Sequence, residues 1–151
     1  MTGEVKTNIE TVCEQWRFGG PMNRVNLMRA AAESNGVYEN KHYGETYYKG
    51  KRARGIYQVQ RNDNGQIIKF TQTKMTNPQQ SYKEATFFHY NEHGDINQIT
   101  VDYGDDGTYE YVHDYDCKYD ENNQLISREE TTWSKIKNAY TSFKTNLKNG
   151  M

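Results

Sequence analysis

Three short segments of the chain align without gaps at a constant spacing of 29 residues, beginning at residues 61, 90 and 119. They read RNDNGQII (61–68), YNEHGDIN (90–97) and YDENNQLI (119–126). Their fifth positions are Gly65, Gly94 and Asn123. Gly and Asn enter the left-handed backbone conformation at the lowest cost, which is what a tight connection between two strands requires. The repeat therefore predicts three equivalent turns with positive φ at these positions.

Further turn signals lie about midway between these segments. They are Lys49-Gly50, Asn77-Pro78 and Asp106-Gly107. Turns that recur every 14–15 residues or so leave strands of some eight to ten residues, at the longer end of the usual range. The predicted strands are 42–48, 54–61, 66–75, 82–90, 95–103, 108–119 and 124–132.

Side-chain alternation gives the predicted strands one shared aromatic face. The strand 108–119 places its aromatic residues, His113 and Cys117 on one side and mostly charged residues on the other. Because residues 29 positions apart are equivalent in the repeat, the same side includes Phe88 in the preceding repeat and Tyr57 and Val59 in the first. Because one face of an antiparallel meander normally packs on the core, we expect helices to cover this face.

The segments YNEHGDIN and YDENNQLI resemble the tyrosine-aspartate (YD, or Rhs-type) repeat, in which a Tyr-Asp pair is followed by Gly and an aliphatic residue. The resemblance covers about residues 55–132 and departs from the pattern at Arg61 and Asn123. It implies a structural scaffold and an exported bacterial protein. It carries over no catalytic residue.

Apolar residues at steps of three and four predict three helices, at residues 4–18, 21–35 and 133–148. Gly19-Gly20 separates the first two, and Trp133, Ile136, Tyr140, Phe143 and Leu147 form the stripe of the third. The predicted fold is therefore α+β over a single domain, 1–151. Two N-terminal helices precede an antiparallel β-meander of six to seven strands over 42–132, and a C-terminal helix packs on the sheet.

Composition limits the classes of partner. The net charge is -1, so we expect no general attraction to nucleic acid. No apolar run approaches the roughly 20 residues of a bilayer-spanning helix, so no membrane association is predicted. The N-terminus has no basic and apolar signal segment, which is consistent with a cytoplasmic protein or with an exported one whose signal peptide is absent from this sequence. The two cysteines, Cys13 and Cys117, are expected to be free thiols, although one bridge between them is the alternative.

Tyrosines beside a basic loop are the candidate binding residues. The chain has twenty aromatic residues, thirteen of them tyrosines, which is more than three helices can cover. The uncovered tyrosines either bind a protein or glycan partner or pair across strands and only stabilise the sheet. The predicted binding residues are Tyr47, Tyr48, Tyr57, Tyr82, Lys49, Lys51, Arg52 and Arg54. The cations in this loop are either a phosphate site or the solvated charges of a hairpin.

The catalytic alternative uses His113, which the alternation places among tyrosines. Glu84 is its counterpart one repeat earlier, so the two could form an acid–base pair of the kind that an RNA-cleaving site needs. A half-buried structural histidine is the competing interpretation. His89 and His93 have no ligand spacing around them, and Asp102, Asp105 and Asp106 are either weak calcium ligands or turn residues. The sequence therefore predicts no metal and no cofactor.

These features predict a non-catalytic binding or interaction module. The alternative is a small effector or hydrolytic enzyme whose cleft lies between sheet and helices and uses His113.

Overall fold

An antiparallel sheet of eight strands dominates the computed structural model, which describes residues 2–17, 20–40 and 46–146. Two helices, α1 (Thr2–Gln15) and α2 (Gly20–Ala32), come first. The strands are β1 (Val37–Asn40), β2 (Tyr47–Tyr48), β3 (Lys51–Arg52), β4 (Arg54–Arg61), β5 (Ile67–Asn77), β6 (Gln80–Tyr90), β7 (Ile96–Tyr103), β8 (Tyr111–Tyr119), β9 (Leu125–Ser134) and β10 (Ala139–Asn146). The large sheet has the order β1-β4-β5-β6-β7-β8-β9-β10, and β2 and β3 form a separate hairpin.

Three turns, after β4, β6 and β8, share one hydrogen-bonding pattern. In each, the first residue exchanges backbone hydrogen bonds with the residues three and four positions later, as Asn91 does with Gly94 and Asp95. Its side-chain oxygen also accepts from two backbone N–H groups inside the turn, from His93 and Asp95 in the second turn. The predicted positive φ is observed at Gly65 (81°), Gly94 (86°) and Asn123 (61°). An Asn or Asp that bonds its own turn in this way explains why each turn begins with one.

The helices pack on one face of the sheet, over its first half. Trp16, directly after α1, lies edge-on against Phe70 of β5 and Phe88 of β6, with ring centroids 5.6 and 5.3 Å apart. Val12 of α1 and Leu27 of α2 are fully buried beside them. Burial of a side chain of this size contributes about 1.5–3 kcal/mol, so this cluster is a principal source of stability. Neither helix, within the described residues, is long and apolar enough to cross a lipid bilayer.

The predicted C-terminal helix at 133–148, and with it the predicted α+β arrangement, is wrong. Residues 125–134 and 139–146 form the antiparallel pair β9–β10, which begins with Ala139 opposite Ser134. A turn at 135–138 connects them, and Asn138 adopts a φ of 49° there. Ile136 and Tyr140, expected in the core, are 68% and 71% exposed. The exposed edge of β9 offers backbone hydrogen-bonding partners to residues 139–146, which outweigh the helical spacing of the aromatic residues.

The strand count also differs from the prediction of six to seven. β1 was missed because it is short and follows α2 directly, and it covers Tyr57 by pairing Tyr38 opposite that residue. Of the first predicted strand, 42–48, the described residues Tyr47–Tyr48 form β2. Several parts of the predicted elements lie outside the described residues: 42–45 of this strand, residue 18 at the end of the first predicted helix, positions 147–148 and the side chain of Phe143.

Candidate functional site

A cavity of about 290 Å³ lies between the sheet and the helices. Its floor comes from three adjacent strands, β6, β7 and β8, and its roof from Trp16 and from Asn23 of α2. The floor residues are Glu84, Thr86, Val101, Tyr103, Tyr111 and His113. All six lie on one face of the sheet because they occupy alternate positions of their strands. The cavity therefore combines aromatic walls with a small number of polar groups.

A continuous row of aromatic rings, here called the aromatic row, enters this cavity from the β2–β3 hairpin. Successive centroids are about 6 Å apart: Tyr48–Tyr82 (6.2 Å), Tyr82–Tyr103 (6.3 Å), Tyr103–Tyr111 (6.0 Å) and Tyr111–His113 (6.1 Å). The rings come from β2, β6, β7 and β8, so the row runs across the strands. Aromatic pairs at this spacing stabilise each other by about 0.5–1.5 kcal/mol. The row thus has a structural role whether or not a ligand contacts it.

Glu84 is held beside the aromatic row by two hydrogen bonds. The Tyr82 hydroxyl donates to Glu84 Oε1 at 2.8 Å, and Gln72 Nε2 donates to Oε2 at 3.4 Å. Burial and the neighbouring carboxylate together raise the pKa of Tyr82 above its usual value. Burial, followed by the charge of Glu84, raises the pKa of Tyr103 to about 12. Both hydroxyls therefore remain protonated near neutral pH.

His113 is 3% exposed and lies in a buried hydrogen-bonded chain. Its Nδ1 lies 2.8 Å from Thr132 Oγ1, and the Thr132 hydroxyl donates to Glu130 Oε2 at 2.9 Å. Because that hydroxyl has only one hydrogen, Nδ1 is the donor toward Thr132 and Nε2 is the acceptor nitrogen of the neutral ring. Burial, opposed by the charge of Asp114, lowers the pKa of His113 to about 4.

His113 and Glu84 line the same cavity but do not form a hydrogen-bonded pair. Glu84 lies opposite Tyr103 in β7, whereas His113 lies opposite Ile99, four residues away. Their Cα atoms lie two strands apart and are offset by four residues along the strands. This corresponds to a separation of roughly 16 Å. The two groups could contact opposite ends of a ligand, but they are too far apart for direct proton exchange. The proposed role of His113 as a general base stays a prediction.

The predicted binding tyrosines fall into two groups. Tyr48 and Tyr82 stack in the aromatic row, and Tyr47 is 52% exposed on the same hairpin. Tyr57 is 2% exposed, stacks on Tyr38 and Phe70, and bonds to the Thr46 hydroxyl. It belongs to the core and is not accessible to a partner.

The predicted basic residues are all exposed around the β2–β3 hairpin. Tyr47 pairs with Arg52 and Tyr48 with Lys51, while Lys49 Nζ lies 5.3 Å from the Tyr48 ring centroid. Arg54 Nε donates to Glu39 Oε1 at 2.8 Å. The structure brings Lys49 and Lys51 next to the outer end of the aromatic row, whereas Arg54 forms an ion pair with the β1 strand.

The acidic turn has a structural explanation. Asp102 is buried, and its two carboxylate oxygens accept from the backbone N–H groups of Asp106 and Gly107. Lys69 forms an ion pair with Asp105 at 3.1 Å. Among the described residues, no group of three or more His, Cys, Asp or Glu side chains is arranged to hold a metal ion. Cys13 and Cys117 are free thiols, as expected.

Six cavity residues were not among the predicted site residues: Trp16, Asn23, Thr86, Val101, Tyr103 and Tyr111. Side-chain alternation placed Tyr103 and Tyr111 on the same face of the sheet as His113. This signal was sufficient to include them among the predicted site residues. The positions of Trp16 and Asn23 follow from helix packing, which no local pattern specifies.

No protein-family model and no curated protein matches the chain. A comparison with solved structures found the crystal structure of a protein with unknown function from Bacteroides fragilis NCTC 9343. It is 17% identical, the match covers 76% of this chain and 96% of that chain, and the TM-score is 0.25. The resemblance to YD repeats is tested by none of these comparisons and stays a prediction.

Proposed function

We propose that the chain is a non-catalytic binding module whose ligand site is the cavity between sheet and helices. The observation that carries this proposal is that the aromatic row leads from the exposed hairpin directly into a cavity with a fixed carboxylate. Small-molecule sites are typically concave, largely apolar and aromatic, with few oriented polar groups. Glu84 and Asn23 are such groups here.

The size of the cavity favours a small ligand or the terminal group of a larger one. At about 290 Å³ it lies at the lower end of the range for ligand pockets, roughly 300–1,000 Å³. A protein side chain or a terminal sugar is of suitable size. The rest of a larger partner would follow the aromatic row toward Tyr48 and the exposed Tyr47.

Nuclear magnetic resonance mapping tests this proposal. A set of methyl glycosides, small amines and capped amino acids is titrated into the isotope-labelled protein. We expect the perturbed amides to cluster at Val101, Tyr103 and Tyr111. Val101→Phe, which fills the cavity, should abolish these shifts, whereas Tyr140→Phe, at an exposed position on the other face of the sheet, should leave them intact. Ligands that perturb other surfaces, or that bind Val101→Phe equally well, would disprove the proposed site.

A further inference from the structure

The electrostatic character of the cavity depends on one carboxylate. Among the eight described residues that line it, Glu84 provides the carboxylate and none is a lysine or an arginine. A second carboxylate, Glu110, accepts the backbone N–H of Tyr103 at 2.6 Å, so it lies beside the same wall. Lys74 lies opposite Tyr82 in the register of β5 and β6, but it does not line the cavity. Lys49 and Lys51 lie at the hairpin end of the aromatic row and do not line the cavity, so within the cavity the carboxylate favours a positively charged ligand group.

The aromatic rings that line the cavity also favour a positively charged ligand. Tyr103 and Tyr111 both line the cavity, and their rings make an edge-to-face contact at an interplanar angle of 70° with centroids 6.0 Å apart. Trp16 closes the cavity from the helix side. The face of an aromatic ring carries negative charge density and attracts cations within about 6 Å of the centroid. Several ring faces around one position form the aromatic cage that binds alkylated ammonium groups.

The hydrogen-bonding capacity of the site distinguishes between types of cation. An ammonium group with three N–H donors needs several acceptors. Both oxygens of Glu84 already accept one hydrogen bond each, from Tyr82 and Gln72, which leaves about two acceptor positions of this carboxylate for a ligand. A methylated ammonium has fewer donors or none, and its methyl groups pack on aromatic rings.

We infer that the cavity binds a methylated ammonium group, with Tyr103, Tyr111 and Trp16 as its aromatic walls and Glu84 as its counter-ion. This inference rests on the proposed function and names the chemical class of the ligand. The group can belong to a small solute or to a methylated lysine side chain of a protein, since both present the same cation.

The test compares a cation with its neutral isostere. Choline and 3,3-dimethylbutan-1-ol have nearly the same shape and differ in charge. We expect choline to bind about tenfold more tightly than the alcohol, with shifts centred on Tyr103 and Tyr111. Capped trimethyllysine, titrated in parallel, distinguishes the two sources: tighter binding than choline indicates a protein ligand and weaker binding a small solute, and either result supports the ammonium site.

Two pairs of variants complete the experiment. Glu84→Gln retains the shape of the side chain but removes its charge, and it should weaken choline binding by about five- to tenfold, whereas the exposed Glu92→Gln should have no effect. Tyr111→Leu should weaken choline more than the alcohol, and the exposed Tyr140→Leu is its matched control. Equal affinity for choline and the alcohol, or tighter binding of a methyl glycoside in the cavity, would overturn the ammonium inference while leaving the binding site intact. Failure of every probe to perturb the cavity would overturn both proposals.

Discussion

The guanidinium carbon of Arg128 lies 3.6 Å from the centroid of the Tyr115 ring. The same side chain donates hydrogen bonds to the carbonyl oxygens of Ile96, at 3.2 Å from Nη2, and Gln15, at 3.3 Å from Nη1. One buried cation therefore connects β7, β8 and β9 to the end of α1. It also satisfies the carbonyl of Gln15 near the helix terminus, where backbone acceptors lack intrahelical partners.

Replacing Arg128 should destabilise the fold strongly. Arg128→Met keeps much of the apolar stem but leaves two carbonyl groups without their donor, and we expect a loss of about 2–4 kcal/mol in the free energy of unfolding. The exposed Arg54, which forms a surface ion pair with Glu39, is the matched control. Arg54→Met should cost at most about 1 kcal/mol. Urea denaturation measures both, and equal losses would contradict a connecting role for Arg128.

The positive φ at Gly94 predicts an asymmetric pair of substitutions. Nothing lies within 4 Å of the position where a Cβ would be added, so the cost of Gly94→Val is backbone strain alone, about 1–3 kcal/mol. Asn123→Gly, at the equivalent turn, should be neutral or slightly stabilising because its φ is already 61°. Thermal and urea unfolding check both; a destabilising Asn123→Gly would show that its side chain, and not its conformation, matters.

Burial of His113 predicts a specific loss of stability in mild acid. The folded-state pKa is lowered to about 4, below the ordinary value of about 6.5, so the unfolded chain takes up the proton first as the pH falls. His113 should therefore reduce the free energy of unfolding progressively between about pH 6.5 and pH 4, by about 3 kcal/mol in total. Below pH 4 both states are protonated and this contribution becomes constant.

Comparison with His113→Gln isolates this effect from the titration of other groups. The stability of the wild type relative to the variant should decrease as the pH falls from 7 to 4, and a direct titration of the imidazole should give the same pKa. A stability difference between wild type and variant that is independent of pH would show that His113 titrates normally in the fold.

The buried carboxylate of Asp102 should organise the loop at 104–110. Asp102→Ala removes the acceptor of two backbone N–H groups, and we expect a loss of about 2–3 kcal/mol. Asp106→Ala, at an exposed position, is the control and should cost less. Hydrogen exchange at Gly107 provides a local readout, which should accelerate in the first variant.

The sequence alone specified the three turns at 62–66, 91–95 and 120–124 and the inward face of the sheet. A turn that needs positive φ and a side-chain acceptor at its first position is encoded within five residues, as in 91–95. Strict alternation then places every second residue of a strand on the same face, which correctly grouped His113 with Tyr111 and Tyr115. These properties depend on local backbone geometry and need no tertiary information.

Two signals in the sequence make conflicting predictions for the C-terminal segment. The helical spacing from Trp133 to Phe143 favoured a helix, while the turn series at 49, 77 and 106 would place its next member near 135. The structure has a turn at 135–138. The edge of β9 offers backbone hydrogen-bonding partners to residues 139–146. The spacing of apolar residues within a segment carries no information about a partner strand elsewhere in the chain.

The cavity itself exists only in the tertiary structure. Its floor could be anticipated from alternation, but its roof depends on where α1 and α2 pack, which brings Trp16 and Asn23 over β6 to β8. The same dependence buried Tyr57, because β1 returns to the sheet beside it and supplies Tyr38 as a stacking partner. Local sequence determines which way a side chain points from its strand. Whether that side chain meets solvent, a ligand or another ring depends on contacts between distant segments, because burial is a property of the packed whole.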